Sequence, residues 1–284
     1  MMTEIKNADL FMKNILVATD LSIRSERAVR RAFAIAESCS CEVTVTCVID
    51  DELPTGVAKT LAADARQEIE ALCTSITEKS VDIRVVIGDP VQDIVSLSEK
   101  LDVDLIILGV HKKRAFWDMF SGTTMERIVR ATNRAVLLSS EVVANGYKNV
   151  LCGIDLSPAC EAAANISMTV APEAKLYGFH AMHVPYIGLF GPDKSAKTLE
   201  PFIETANKRL HDWWQNADLP TGLEKPEPMP MSVTESLAIK LKEIKPDLIA
   251  IGAHGRSLVS PTLLGSFTEM LIRTPPCDLL LVRR

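Results

Sequence analysis

Apolar residues are distributed along this chain in two alternating textures, short unbroken runs and longer stretches in which they recur at helical spacing. Unbroken runs are the mark of strands buried on both faces, and helical stretches between them are the crossovers that parallel strands require. In the first half the runs place strands near Ile15–Thr19, Val43–Ile49, Asp82–Ile87, Leu105–Leu108 and Ala135–Leu138. Between the first two, Ala28, Val29, Ala32, Phe33 and Ala36 form a stripe that would face a sheet. In the second half strands are expected near Val150–Ile154, Leu176–Met182, Pro230–Val233, Leu248–Ile251 and Leu279–Val282. Ser157 followed by Pro158 marks a helix start, because a serine oxygen accepts from first-turn amides and a proline there gives up no hydrogen bond. A long segment from Val184 to Met229 separates the second and third of these strands, with a helix over Ala196–Gln215 in its middle.

The two halves repeat one another. Lys13-Asn14-Ile15-Leu16-Val17-Ala18-Thr19-Asp20-Leu21-Ser22 is echoed by Lys148-Asn149-Val150-Leu151-Cys152-Gly153-Ile154-Asp155-Leu156-Ser157. Further on, Asp104-Leu105-Ile106-Ile107-Leu108-Gly109-Val110-His111 is echoed by Asp247-Leu248-Ile249-Ala250-Ile251-Gly252-Ala253-His254. The expectation is therefore an α/β protein of two tandem doubly wound domains, 11–141 and 146–284, each a five-stranded parallel sheet with helices on both faces. The join falls in the polar stretch near Glu141 to Tyr147.

Composition narrows the class. Of 284 residues, 47% are hydrophobic and 24% charged, which excludes a disordered or collagen-like chain. No apolar run has the length of a membrane span, and the start Met1-Met2-Thr3-Glu4-Ile5-Lys6 lacks a basic-then-apolar signal, so a cytoplasmic protein without a membrane partner is expected. The net charge is −6 and the basic residues are scattered, which argues against a nucleic-acid partner. The seven cysteines, odd in number and spread through apolar context, read as mostly reduced and buried. Cys39-Ser40-Cys41, without a second pair at ligand spacing, reads as packing rather than a redox centre.

Open parallel sheets bind ligands beyond the carboxyl ends of their strands, where the winding direction reverses. Asp20 and Asp155 end the first strand of each half, and Gly109-Val110-His111 and Gly252-Ala253-His254-Gly255 end the fourth. Gly122-Thr123 and Gly265-Ser266 then open a last helix, whose exposed amides and dipole favour an anion. Each residue also has a plainer reading. An aspartate at a strand end starts helices, and a glycine there permits a tight turn. His111 and His254 read as loop-stabilising, since no carboxylate is placed to orient either ring. His180 and His183 fall on opposite faces of a strand, so a shared metal is not expected. Trp213 and Trp214 read as core anchors, and Lys112-Lys113-Arg114 as a solvated loop.

These residues resemble the universal stress proteins in their tandem form. The second half carries that family's Gly-x2-Gly-x9-Gly-Ser/Thr signature as Gly252, Gly255, Gly265 and Ser266, continued by Phe267 and Thr268. The resemblance implies ATP, with Mg²⁺ as an optional counter-ion. Asp155 would hold the ribose or adenine end, and the backbone of Ala181 would contact adenine. Gly252, His254, Gly255, Gly265, Ser266 and Thr268 would surround the phosphates, with Phe267 supplying backbone. It also implies an internal pseudo-dimer through the fifth strands, with pairing of two chains as a further option. The first half departs from the pattern. Asp20, Val48, Gly109, His111, Gly122 and Thr123 match, but Lys112 stands at the second glycine and Met125 at the position of Thr268, so weaker or altered binding is expected there. Nucleotide-responsive binding is the leading function. A slow ATPase and a ligand-free scaffold are the alternatives, and the absence of Gly-x4-Gly-Lys-Ser/Thr and Ser-Gly-Gly-x-Asp-Ser loops argues against an enzyme.

Overall fold

The computed structural model describes residues 12–110, 123–140, 146–182, 196–253 and 264–283. In the first half β1 (Asn14–Ala18), β2 (Glu42–Asp50), β3 (Asp82–Gly88), β4 (Leu105–Gly109) and β5 (Ala135–Ser139) alternate with α1 (Ile23–Cys39), α2 (Thr55–Ile76), α3 (Pro90–Lys100) and α4 (Thr124–Ala131). The second half has β6 (Asn149–Gly153), β7 (Lys175–Ala181), β8 (Pro228–Met229), β9 (Leu248–Gly252) and β10 (Asp278–Val282), with α5 (Pro158–Val170), α6 (Ala196–Asn216), α7 (Val233–Ile244) and α8 (Ser266–Arg273).

The strands lie in the order β3-β2-β1-β4-β5-β10-β9-β6-β7-β8. Neighbours within a half are parallel. Where the halves meet, β5 and β10 run antiparallel, with Leu279 opposite Leu138 and Leu281 opposite Val136. β1 lies between β2 and β4, and β6 between β7 and β9, so each half has its reversal point beside its first strand.

Side chains alternate across the strands and divide the interior into two layers. Ile15, Val17, Ile107, Leu137, Val150, Leu248 and Leu280 face one layer with buried residues of α1, α2, α5 and α6. Leu16, Ile106, Val136, Leu151, Ile249 and Leu281 face the other, with α3, α4, α7 and α8. Both layers run through the two halves without interruption, because the leucines of β10 continue those of β5.

The helix starts follow local chemistry. Ser157 accepts from the Cys160 amide at 3.2 Å with Pro158 in the first turn, and Asp89 accepts from the Val91 and Gln92 amides at 2.9 and 2.8 Å. The α1 stripe buries Ala28, Val29, Ala32 and Ala36, together with Ile35 and Arg31, while Phe33 is half-buried.

Two expectations are corrected. The strand expected over Pro230–Val233 is instead the two-residue β8 at Pro228–Met229, and Val233 opens α7. Ser232 and Glu235 form a reciprocal capping box there, which overrides the β preference of Val233 and Thr234. Cys39 and Cys41, expected as packing thiols, are joined by a disulfide. Ser40 between them takes a left-handed conformation at φ 56°, closing the last turn of α1 and bringing the two sulfurs together. The other five cysteines form no disulfide and are buried. Among the described residues no helix is long and apolar enough to cross a membrane.

Candidate functional site

Each half ends its first strand on the same device. Asp155 Oδ1 accepts from the Ser157 amide at 3.0 Å and from the Ser157 hydroxyl at 2.6 Å, and that hydroxyl oxygen caps α5. Asp20 Oδ1 accepts from the Ser22 amide at 3.1 Å, and Ser22 caps α1. The residue between aspartate and serine is left-handed in both halves, Leu21 at φ 62° and Leu156 at φ 65°. That conformation is unfavourable for a leucine, and its repetition shows a turn built to aim the aspartate at the strand end.

The reversal point of the second half holds a cleft of about 200 Å³ lined by Gly153, Ile154, Asp155, Phe179, Ala181, Val233, Ile251, Gly252 and Phe267. Four of the nine positions expected from sequence, Asp155, Ala181, Gly252 and Phe267, therefore meet in one cavity although they come from the turn after β6 and from β7, β9 and α8. Gly265 and Ser266 are exposed at the start of α8, and Thr268 is buried one turn in. His254 and Gly255 lie outside the described residues. Sequence reasoning missed Phe179, Val233 and Ile251, which make the cleft walls apolar; each belongs to a run that also reads as core, so no separate signal marked it.

The matching cleft of the first half, about 220 Å³, includes Asp20, Val48, Gly109, Thr124 and Met125 in its lining. Thr123 is not in its lining but precedes the lining residue Thr124 and caps α4, accepting from the Glu126 amide at 3.2 Å. His111 and Gly122, with Lys112-Lys113-Arg114, lie outside the described residues. The caps differ in kind. Thr123 engages an amide of α4, whereas Gly265 at the start of α8 has no side chain to do so. Bare amides at a helix start suit an anion.

The glycines at the two fourth-strand ends have a second reason to be glycine. A Cβ on Gly252 would stand 2.8 Å from Ala159 Cβ and 2.9 Å from the Cys160 amide nitrogen, and one on Gly109 would stand 2.9 Å from the Arg24 carbonyl oxygen. Both allow the strand end to lie against the first turn of a helix. Among the described residues, a Cβ on Gly265 would meet nothing within 4 Å.

Electrostatics near the clefts is set by burial. The Cys160 thiol is pushed up to about 12, first by burial and then by the Asp155 carboxylate. Cys47 is pushed up to about 11 by burial and by Asp20. His180 is buried with Nδ1 2.6 Å from the Ile154 carbonyl oxygen, which ties β7 to the turn that carries Asp155. His183 lies outside the described residues, and among those described no group of three metal-ligating side chains forms.

Fold and clefts define a class: tandem doubly wound α/β domains, each with a carboxylate-marked apolar slot at its switch point. The universal stress protein family model matches twice, over residues 12–139 and 146–283. This chain belongs to the universal stress protein family. It is 31% identical over 110 residues to universal stress protein A homolog 1 of Coxiella burnetii, an alignment spanning 35% of this chain and 76% of that protein. A universal stress protein of Mycobacterium tuberculosis is 27% identical over 215 residues, 72% of this chain and 70% of its own. The solved universal stress protein of Archaeoglobus fulgidus shares the fold at a TM-score of 0.66 and 20% identity, covering 95% of this chain and 98% of that one.

Proposed function

We propose that the second half binds ATP or a related adenine nucleotide and that occupancy of its cleft is the protein's output in a stress response. The base lies in the apolar slot between Val233, Ile251 and Phe179 against the Ala181 backbone, and Asp155 accepts from the ribose. A slot of about 200 Å³ suits a base and part of a sugar and is smaller than a cleft that encloses a whole drug-sized ligand. The phosphates therefore extend to the uncapped start of α8, where Gly265 and Ser266 supply amides and a hydroxyl. Gly252, His254, Gly255, Thr268 and the Phe267 backbone complete that end, with Mg²⁺ as counter-ion. Binding rather than turnover is the activity, since the one titratable side chain among the described lining residues, Asp155, is engaged by the Ser157 amide and hydroxyl and serves the sugar end rather than the phosphates.

In the first half Asp20, Val48, Gly109, His111, Gly122 and Thr123 form a weaker version, because Thr123 already serves an α4 amide and the sequence has Lys112 in place of the second glycine. The halves, domains 11–141 and 146–284, act as an internal pseudo-dimer through β5 and β10, two chains pair further, and the protein works in the cytoplasm.

The observation that carries this reading is the convergence of Asp155, Ala181, Gly252 and Phe267, from four separate elements, on one slot. Pure protein, denatured and its extract chromatographed, is expected to release adenine nucleotide, and added ATP with Mg²⁺ is expected to raise Tm. Gly265→Val is the discriminating variant, since among the described residues nothing crowds Gly265, and its ordinary φ of −66° accepts a side chain. It should weaken ATP binding about tenfold or more, roughly 1.4 kcal/mol, by calorimetry. No released nucleotide and no thermal shift with ATP, ADP, AMP or cAMP would leave the cleft without this role.

A further inference from the structure

At the opposite, amino ends of the first-half strands lies a groove of about 1190 Å³, whose walls include Arg30, Glu37, Cys41, Glu42, Lys79 and Asp82. Cys41 is there as one end of the Cys39–Cys41 disulfide. A bridge with one residue between its cysteines closes a loop that the chain already nearly closes, so it does little to restrain the unfolded state. Its place in the molecule calls for a different account.

Both bridged cysteines are half-buried, whereas Cys47, Cys73, Cys152, Cys160 and Cys277 are buried. Burial holds Cys47 at about 11 and Cys152 and Cys160 at about 12, so these thiols do not compete as nucleophiles. The groove beside Cys41 has room for a tripeptide. Its charges are of both signs, Arg30 and Lys79 against Glu37, Glu42 and Asp82, which matches a ligand carrying carboxylates and an amine together. Cys41 Sγ also lies 3.1 Å from the Met12 carbonyl oxygen. A bridged sulfur has no proton to offer, but the thiol released on reduction finds that acceptor already in place.

We propose that Cys39 and Cys41 form a thiol–disulfide exchange site for a zwitterionic peptide thiol of the glutathione class, seated in this groove. The peptide thiolate attacks Cys41 Sγ from the groove. The sulfur–sulfur bond breaks, and its electron pair leaves on Cys39 Sγ, which takes a proton from water. A second peptide thiolate then attacks the peptide sulfur of the mixed disulfide, releasing Cys41 as a thiol after protonation and the peptide as its own disulfide. Two thiols are oxidised by two electrons in all, and the bridge is reduced by the same two. The site is separate from the nucleotide clefts, which open at the carboxyl ends of the strands, and stands or falls independently of them.

The full-length protein, equilibrated in glutathione buffers of graded oxidised-to-reduced ratio, acid-quenched, alkylated and digested, is expected to show one two-electron transition confined to the peptides carrying Cys39 and Cys41. Cys39→Ser should accumulate a glutathione adduct on Cys41. The Arg30→Glu, Lys79→Glu variant should be reduced by glutathione about tenfold more slowly than the native protein, with its dithiothreitol rate unchanged. Two free thiols at every buffer ratio would overturn the site. An unchanged glutathione rate in the charge-reversed variant would overturn the groove as its peptide seat, and the dithiothreitol arm separates that result from simple loss of access.

Discussion

Asp20 and Asp155 show how one side chain serves two ends. Each anchors the turn that starts a helix, and each is held at a strand end facing a slot, by a leucine forced left-handed. The same economy applies to the buried thiols, whose chemistry gives a pH prediction. Cys152, fully enclosed, is pushed up to about 12 by burial, while a thiol in an unfolded chain titrates near 8.5. Below about 8.5 both states keep the proton and stability is indifferent to pH. Between the two values the unfolded chain releases a proton that the fold retains, so unfolding becomes easier as pH rises, by up to about 1.4 kcal/mol per pH unit. Cys47 and Cys160 act in the same direction. Tm followed by circular dichroism should hold steady from about pH 7 to 8.5 and fall by about pH 11, and the fall should be shallower in Cys152→Ala; an identical slope in that variant would count against the burial argument.

At the scale of elements, the carboxyl end of β9 rests on the first turn of α5 with only Gly252 between them. The crowding atoms include backbone of Ala159 and Cys160, so they do not yield as a side-chain tip would. Gly252→Ala is expected to cost about 1–3 kcal/mol of stability, read as a lower urea midpoint at unchanged slope. A stable Gly252→Ala protein with impaired nucleotide binding would instead show that the residue is glycine for a ligand's sake. The position of this glycine was legible in the repeated strand-end motif, but its packing reason was not, because the atoms that crowd it come from a helix far along the chain. Helix starts were legible from Ser157-Pro158, since a cap depends on a few adjacent residues. The misplaced third strand of the second half shows the converse: Ser232 and Glu235 settled a local competition that β-branched residues alone misreported.

Across the whole molecule, the halves are fastened by charges that no periodicity announces. Asp278 of β10 is fully buried and accepts from the Tyr147 hydroxyl at 2.7 Å and the Ser140 amide at 2.8 Å. Arg31 of α1 pairs with it at 2.9 Å and lies 4.2 Å from the centroid of the Tyr147 ring. Tyr147 is in turn held well above its ordinary pKa by burial and by the carboxylate. A second clasp joins α4 to α8 through Glu126–Arg273 at 2.8 Å and Arg130–Glu269 at 2.6 Å, each helix offering a glutamate and an arginine four residues apart to its counterpart. Arg283, beyond β10, donates to the Val129 and Thr132 carbonyls at the end of α4. Removing the carboxylate in Asp278→Ala strands a buried guanidinium and should cost about 3–5 kcal/mol, measured by denaturant unfolding. Paired with Tyr147→Phe the losses should fall short of additivity, and strict additivity would mean the groups do not form one network.

Local rules reach a few residues along the chain, and everything they govern could be read without a fold: the alternation of strands and helices, the duplicated halves, the capped starts and the aspartates and glycines at strand ends. The rest depended on pairs far apart in sequence. The antiparallel meeting of β5 with β10, the Asp278 network and the apolar walls of Phe179, Val233 and Ile251 came only with the folded chain, because burial and distance belong to the assembled layers and leave no periodic trace in any one segment.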